Sequence, residues 1–409
     1  MSRVELARAA LERIAAREPE IHAYAHLDRD AALAEARRLD AEGADGPLSG
    51  HVVAIKDIFD TADMPTGRGS PIYGGHRPPR DAAAVAAIRQ AGGLVIGKAV
   101  TTEFAHLTPG PTRNPHDTTR TPGGSSSGSA ATVAAGGATL ATGTQTAGSI
   151  IRPAAYCGVV GYKPSFATIS RSGLALFGET LDTIGGFAAS VADAALFIGA
   201  MAGRPDLSAA GAAEHGGPPR LAIWPTPAAG EAEDPVREAL EQVATAAARA
   251  GATVVPLAAE AGWWWDLLEA QQTVMAREGA QALAWERTAR RALLSDPLRA
   301  YLDDGAEVSA PDYLAALAVR QETGGRLFEA MAPFDAVLTL SAPGEAPLAA
   351  TGTGDPRFNR VWTLLGGPAL HLPTGTGPSG LPVGVQLTAP PGADARLLSA
   401  ARWLEARRA

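Results

Sequence analysis

The chain has 409 residues, 46% of them hydrophobic and 19% charged, a composition that is typical of a globular protein with a large core. Its formal net charge is −8 and it contains no long basic stretch, which argues against nucleic-acid binding. The single cysteine, Cys157, excludes an internal disulfide framework and is typical of the cytoplasm. Because neither a signal peptide nor an apolar run of about 20 residues is present, we expect a soluble, cytoplasmic protein that binds no membrane.

Helix and strand patterns alternate along the first hundred residues. Ser2 and Glu5 form an S-x-x-E capping box, which predicts an amphipathic helix that Pro19 ends. The further elements that periodicity predicts here are a strand at 52–55 that ends at Lys56, a helix at 82–91 and a strand at 94–96. Such alternation favours an α/β fold.

Residues 110–148 form a segment rich in glycine, serine, threonine and alanine. A flexible linker has a similar composition. Residues 130–135 are nevertheless compatible with a helix, and apolar strands flank the segment. We therefore predict that its small side chains allow close backbone approach inside a packed interior.

The second half of the chain continues the alternation after a polar stretch at 205–219, which predicts a surface loop or a seam between two halves. The predicted elements that follow are strands at 221–224, 253–255, 335–340 and 383–388, helices at 235–250 and 393–408, and a helical region at 261–331. No internal repeat of fixed period is visible. These patterns predict a single α/β domain with a helical insertion at about 205–330.

Three features suggest chemistry: Lys56 at a strand end, the Gly/Ser loop at 123–129, and the element GTQTAGS at 143–149. Each is unspecific alone, but in this order they resemble the amidase signature family. The resemblance rests on the block GGSSSGSAATVAAGGATLATGTQTAGSIIRPAAYCGVVGYKPS at 123–165 and on VVAIKD at 52–57. It extends through FDAVLTLSAPGEAPL, FNRVWTLLGGPALHLP and GLPVGVQL downstream and is weakest at about 205–330.

The resemblance implies a fold and a site. The fold would be one domain over 1–409, with a central, mostly mixed β-sheet covered by helices on both faces and a catalytic core at 50–200. The catalytic residues would be Ser149 as the nucleophile, Ser125 as a bridging serine behind a cis peptide bond, and Lys56 as the base. Backbone N–H groups of an oxyanion hole would come from Thr146, Ala147, Gly148 and Ser149.

The chemistry of these residues supports the assignment. A serine hydroxyl is a weak nucleophile and needs an adjacent base. A solvated lysine is protonated, with a pKa near ~10.4, but burial can lower that value by about 3–5 units. Lys56 ends an apolar strand and faces a Gly/Ser-rich interior, so we expect it to be neutral and to accept a proton from Ser149 through Ser125.

Two positions depart from the family pattern. Members commonly carry an aspartate where this chain has Gln145, and an arginine where it has Ile151; here Arg152 follows one residue later. Since an acidic and a basic position change together, we expect a different supporting network around an intact triad. The consequence for substrate preference stays open.

Two other motifs compete with this interpretation. Residues 124–128 also match G-x-S-x-G, which would make Ser126 the nucleophile with His215 or His371 as partner, but a turn-rich loop rather than a strand precedes them. Residues 92–98 approach a phosphate-binding loop, yet Ala99 lacks the hydroxyl that would hold Mg²⁺. No metal-ligand spacing is apparent, so we expect no cofactor.

Aromatic residues are the candidates for the substrate pocket. Trp263, Trp264 and Trp265 predict either helix packing or an apolar lip over the pocket, and Phe104, Phe177 and Trp362 are further candidates for pocket residues. The primary hypothesis is an amidase for a small carboxamide, extending to carbamates or aryl esters, that acts as a monomer or homodimer. The alternatives are a glutamine-hydrolysing subunit of an amidotransferase and a non-catalytic scaffold on the same fold.

Overall fold

A computed structural model describes residues 1–43, 45–213 and 216–407, and within them the helices pack around strands of one sheet. The helices are α1 (Arg3–Ile21), α2 (Arg29–Glu42), α3 (Ala83–Gln90), α4 (Ser127–Ala134), α5 (Ile151–Cys157), α6 (Val191–Ala202), α7 (Pro205–Ala212), α8 (Asp234–Arg249), α9 (Ala261–Ala282), α10 (Ala284–Ala289), α11 (Asp296–Glu307), α12 (Ala310–Met331), α13 (Arg357–Leu364) and α14 (Asp394–Glu405). The strands are β1 (Tyr24–Leu27), β2 (Val52–Lys56), β3 (Leu94–Ala99), β4 (Leu140–Gln145), β5 (Val160–Lys163), β6 (Thr183–Ala188), β7 (Arg220–Ile223), β8 (Thr253–Pro256), β9 (Ala336–Leu340), β10 (Ala369–Thr376) and β11 (Pro382–Thr388).

The sheet has the strand order β1-β3-β2-β4-β6-β5-β10-β11-β9-β7-β8. Near the β1 edge, the strands β3, β2 and β4 run parallel to one another. At the opposite edge, β9, β7 and β8 also run parallel to one another. The strands between β4 and β9 pair in antiparallel fashion, as does the edge strand β1. This mixed sheet confirms the predicted single α/β domain.

Alternate residues of β2 explain why helices cover both faces of the sheet. Side chains along a strand point to opposite faces in turn. Val53 and Ile55 belong to the main core cluster, which includes residues of α3, whereas Val52 packs in a second cluster with residues of α1. Every residue of β2 is buried, which accounts for a strand that reads as one apolar run.

The neighbouring strands β2 and β4 bring the catalytic candidates to one edge of the sheet. They run parallel, with Val53 opposite Leu140 and Ala54 opposite Ala141. Their carboxyl ends therefore lie side by side. Lys56 ends β2, and the residues that follow Gln145 leave β4 at the same edge.

The Gly/Ser-rich segment is a packed interior from residue 121 onward, as predicted, whereas residues 110–120 are mostly exposed or half-buried. All residues of α4 are buried except Ala134. A Cβ atom on Gly128 would lie 2.1 Å from the carbonyl oxygen of Ala23 and 2.4 Å from the nitrogen of Val100. Backbone contacts this close leave no room for a side chain, so the small residues are required for packing.

Two expectations about chain breaks were wrong. The stretch at 205–219 predicted a loop or a seam, but it begins with α7, whose Leu207 is fully buried. Pro205 stands in the first turn of α7, where the missing N–H of proline costs no hydrogen bond. Pro19 likewise does not end α1, which continues to Ile21.

The predicted closing helix at 393–408 corresponds to α14, which ends at Glu405. Residue 408 of that predicted helix and residues 214–215 of the predicted polar stretch lie outside the described residues. Across the part of the chain that the structure describes, none of the helices combines the length and apolar character needed to span a bilayer.

Candidate active site

Lys56 and Ser125 form the buried centre of the site. Lys56 Nζ lies 2.8 Å from Ser125 Oγ and 2.7 Å from Thr144 Oγ1. Lys56 has no exposed surface and Ser125 has 1%. Burial disfavours the ammonium form and lowers the pKa of Lys56 to about 7, against a weaker opposing effect of the Asp182 carboxylate. A lysine of this kind can exchange a proton with Ser125 near neutral pH.

The peptide bond before Ser125 is cis, and Arg152 holds its carbonyl. Arg152 Nη2 donates to the oxygen of Gly124 at 2.6 Å, and Nη1 donates to the oxygen of Gly354 at 2.7 Å. On the other side, the N–H of Thr102 donates to the oxygen of Ser125 at 3.2 Å. The arginine that departs from the family pattern thus fixes the backbone at Ser125, the candidate bridging serine.

Ser149 lies in the turn at 146–150, between β4 and α5, and is 7% exposed. The carbonyl of Thr146 accepts a hydrogen bond from Gln271 Nε2 at 3.0 Å, and that of Ala147 accepts one from Thr363 Oγ1 at 2.7 Å. In a planar trans peptide the N–H points opposite to the C=O. The N–H groups of Ala147 and Gly148 therefore point away from these two donors.

Gln145 anchors the end of this turn. Its Oε1 accepts hydrogen bonds from the N–H groups of Ile150 at 2.9 Å and Ile151 at 3.0 Å, where α5 begins. Its Nε2 donates to Thr363 Oγ1 at 2.9 Å. The neutral amide thus satisfies two N–H groups of a helix start and positions the hydroxyl that holds Ala147.

The sequence profile of the family described as Amidase matches residues 5–398. The chain belongs to the amidase signature family. It is 49% identical over 213 residues to the A subunit of glutamyl-tRNA(Gln) amidotransferase from Acidothermus cellulolyticus, an alignment that spans half of this chain and only 42% of that relative. The corresponding protein of Koribacter versatilis is 34% identical over 98% of this chain and 94% of its own length. The native peptide amidase from Stenotrophomonas maltophilia superimposes with a TM-score of 0.84 and 30% identity, covering 100% of this chain and 94% of that chain.

A cavity of about 850 Å³ lies next to the turn at 146–150, although Lys56, Ser125 and Ser149 are not among the residues that line it. Thr353, Gly354, Pro356 and Arg360 are among its lining residues. A Cβ atom on Gly148 would lie 2.8 Å from Cβ of Pro356, so the nucleophile turn packs directly behind this wall. The cavity is therefore the candidate substrate pocket of the amidase.

The tryptophan run at 263–265 divides between the two roles considered for it. Trp264 is fully buried in an aromatic cluster, with ring centroids 5.7 Å from Trp224 and 5.9 Å from Trp362. Trp265 is 44% exposed and lines the cavity together with Leu268. Helix packing thus describes Trp264, whereas a role of Trp265 as a lip over the substrate pocket stays a prediction.

The three predicted pocket residues are buried in the core around the site. Trp362 belongs to the tryptophan cluster, Phe177 stacks on the ring of His106 at 4.7 Å, and Phe104 meets Tyr73 edge to face at 6.0 Å. Their part in substrate binding stays a prediction.

The competing motifs occupy settings that do not favour their chemistry. Ser126 is fully buried, and its Oγ lies 3.4 Å from both the oxygen and the nitrogen of Thr144. His371 is buried against Ser341 Oγ at 2.7 Å, and His215 lies outside the described residues. Residues 94–99 form β3, so the segment resembling a phosphate-binding loop is a strand, and within the described ranges no cluster of His, Cys, Asp or Glu could hold a metal ion.

Sequence reasoning missed the residues that support the turn from a distance. Gln271 comes from α9 and Thr363 from α13, while Asp182 accepts a hydrogen bond from Thr146 Oγ1 at 2.5 Å. No local pattern marks them, because a single buried glutamine, threonine or aspartate has no periodicity. Only the fold brings them to the turn at 146–150.

Proposed function

We propose that the chain hydrolyses the amide bond of a small carboxamide through Lys56, Ser125 and Ser149, with carbamates and aryl esters as further substrates. The observation that carries this proposal is the hydrogen bond between the buried Lys56 amine and the Ser125 hydroxyl. A lysine with a pKa lowered to about 7 has a substantial neutral fraction at physiological pH, which a general base needs.

In the proposed reaction, Ser149 Oγ attacks the amide carbonyl, its proton passes to Ser125, and the proton of Ser125 passes to Lys56. When the tetrahedral intermediate collapses, the C–N bond breaks and the leaving amine receives a proton back through Ser125. Water then attacks the acyl-enzyme by the same relay and releases the acid. Two hydroxyls in sequence are needed because Lys56 hydrogen-bonds Ser125, not the nucleophile turn.

The oxyanion of this intermediate would be bound by backbone N–H groups of Thr146, Ala147, Gly148 and Ser149. The donors that Gln271 and Thr363 supply to the turn carbonyls support this role, because they fix the orientation of the N–H groups before the substrate arrives. Losing one preorganised donor typically costs about 3–4 kcal/mol of transition-state stabilisation.

A second candidate is a glutamine-hydrolysing subunit that passes ammonia to a partner enzyme. The names of the curated relatives favour it, since both described above are A subunits of amidotransferases. The likeness to the peptide amidase supports the primary proposal, in which the chain acts on its substrate without a partner. We expect the free enzyme to be a cytoplasmic monomer or homodimer.

The test is turnover by the purified chain alone. We expect hydrolysis of simple aryl amides, with an acyl-enzyme on Ser149 trapped by a fluorophosphonate and located by mass spectrometry. Glutamine as the sole substrate, with activity that rises on adding an amidotransferase complex, would support the amidotransferase role instead. Inertness of the folded chain toward amides, esters and glutamine would favour a scaffold.

A further inference from the structure

Asp182 is a buried carboxylate to which the proposed triad chemistry assigns no role. It precedes β6, which pairs with β4 so that Thr183 lies opposite Gln145, and Asp182 therefore faces the oxyanion turn. Its Oδ1 accepts a hydrogen bond from Thr146 Oγ1 at 2.5 Å, and its Oδ2 accepts one from the N–H of Phe177 at 2.7 Å. Its exposed surface is only 4%.

Among the described residues, Asp182 has hydrogen-bond donors around it but no salt-bridge partner. Burial raises its pKa, while the donors Thr146, Phe177 and Gly178 and the charge of Lys56 act to lower it. Among the ion pairs of the described residues, none includes Asp182. Lys56 is the cationic group that interacts with it electrostatically, and Asp182 is in turn the charged group that acts on Lys56.

The reaction makes this arrangement significant. When Ser149 attacks, the relay leaves a proton on Lys56 and creates an ammonium ion with no access to water. An isolated charge in such a place is costly unless an opposite charge compensates it. The groups that hydrogen-bond Lys56 Nζ, Ser125 and Thr144, are neutral hydroxyls. Thr144 lies opposite Ile184 in β6, two residues after Asp182, and the Asp182 carboxylate is the charge that acts on Lys56 from this side.

We propose that Asp182 is a positioning residue of the amidase reaction that holds Thr146 in the oxyanion turn and balances the charge of Lys56 once that lysine has taken the proton. This inference rests on the proposed function and deepens it. It links the two halves of the site, since one carboxylate serves the base through its charge and the oxyanion turn through its hydrogen bond.

Two variants separate the two roles. Asp182→Asn removes the charge but keeps the shape and an acceptor oxygen. Because the ammonium form of Lys56 then loses its compensation, the pKa of Lys56 falls, and the acid limb of kcat/KM moves to lower pH by about 0.5 unit or more. We also expect kcat to fall about 10-fold, because the charge that forms on Lys56 during the reaction is no longer balanced. Thr146→Val removes only the hydroxyl and should lower kcat without moving the acid limb.

The measurement is kcat/KM of the purified full chain for an aryl amide between pH 5 and 9, with the rate of fluorophosphonate labelling of Ser149 over the same range as a second readout. An acid limb of Asp182→Asn that coincides with the wild-type limb in both readouts overturns the inference. If Asp182→Asn fails to fold, Asp182→Glu is the second variant, because it keeps the negative charge. Its acid limb of kcat/KM must coincide with that of the wild type while kcat falls, and a shifted acid limb contradicts the proposal. A wild-type chain that neither hydrolyses amides nor labels at Ser149 would instead refute the proposed function itself.

Discussion

The lowered pKa of Lys56 leads to a prediction about the variant Lys56→Met. Burial lowers the lysine pKa from 10.5 to about 7. At pH 7 the lysine amine is then neutral in about half of the molecules. A solvated lysine is neutral in only roughly three molecules in ten thousand. Methionine has a similar length and no basic nitrogen, so the variant keeps the packing and loses the base. We expect kcat/KM to fall by about 10²–10⁴-fold.

The assay is the pH dependence of kcat/KM for an aryl amide between pH 5 and 9. The wild-type rate should rise with pH through about 7, because the base works only after it has lost its proton. Lys163→Met is a matched control: Lys163 is also fully buried, but its Nζ donates to the carbonyl oxygens of Pro164 at 3.1 Å and Gly367 at 2.5 Å. That variant should lose stability by about 1–3 kcal/mol and keep the pH profile.

The result that refutes the reasoning is a wild-type profile that is flat from pH 6 to 8, or a Lys56→Met variant with more than about a tenth of the wild-type rate. Equal losses of activity in the two lysine variants would also contradict it, because they would point to destabilisation rather than to a missing base. Thermal unfolding of both variants shows which case applies.

Two further predictions concern the nucleophile and the cavity. Ser149→Ala should abolish fluorophosphonate labelling. Ser126→Ala should keep it, because the Ser126 hydroxyl makes long contacts to the backbone of Thr144. A label on Ser126 would reverse the assignment. Trp265→Ala should raise KM for bulky amides with little change in melting temperature, since the ring is 44% exposed at the cavity wall; an unchanged KM across a panel of acyl groups would remove Trp265 from the substrate site.

The sequence predicted strands well where they are apolar and poorly where they are not. β2 reads as an apolar run and was found within one residue of its predicted bounds. β4 (LATGTQ) and β6 (TIGGFA) were missed, because glycine and threonine weaken the apolar signal of a strand. A Cβ on Gly185 would lie 2.2 Å from the carbonyl oxygen of Tyr162, so close approach of neighbouring strands requires the glycine that hides the strand.

The candidate site follows the same division. Its reactive residues lie in short motifs, and the fold brings Lys56 and Ser125 into contact as the motif order suggested. The partners that orient the turn at 146–150 come from positions more than a hundred residues away along the chain, such as Gln271 and Thr363. Long-range hydrogen bonds between buried polar groups depend on the whole packing arrangement, so a single sequence gives no means to pair them.

The glutamine at position 145 is explained by its neighbours and gives a final prediction. The Thr363 hydroxyl donates to the carbonyl of Ala147 at 2.7 Å, with the carbonyl of Asn359 at 3.2 Å as a second acceptor. Its one proton is thus used, so Oγ1 accepts from the residue at position 145, and the Gln145 amide nitrogen donates to it. A carboxylate has no proton to donate. Gln145→Glu should therefore draw the Thr363 proton away from Ala147 or repel its oxygen, and either outcome loosens the oxyanion turn.

We expect Gln145→Glu to lower kcat about 10-fold or more with little change in KM, because the turn, not the cavity, is disturbed. Thr363→Ser is the matched control, since it keeps the hydroxyl and should keep most of the rate. If Gln145→Glu retained the wild-type kcat while remaining folded, the hydrogen bonds of Gln145 would be structural only. The exchange of the usual aspartate for glutamine would then reflect the start of α5, where Gln145 accepts from Ile150 and Ile151, and not the geometry of catalysis.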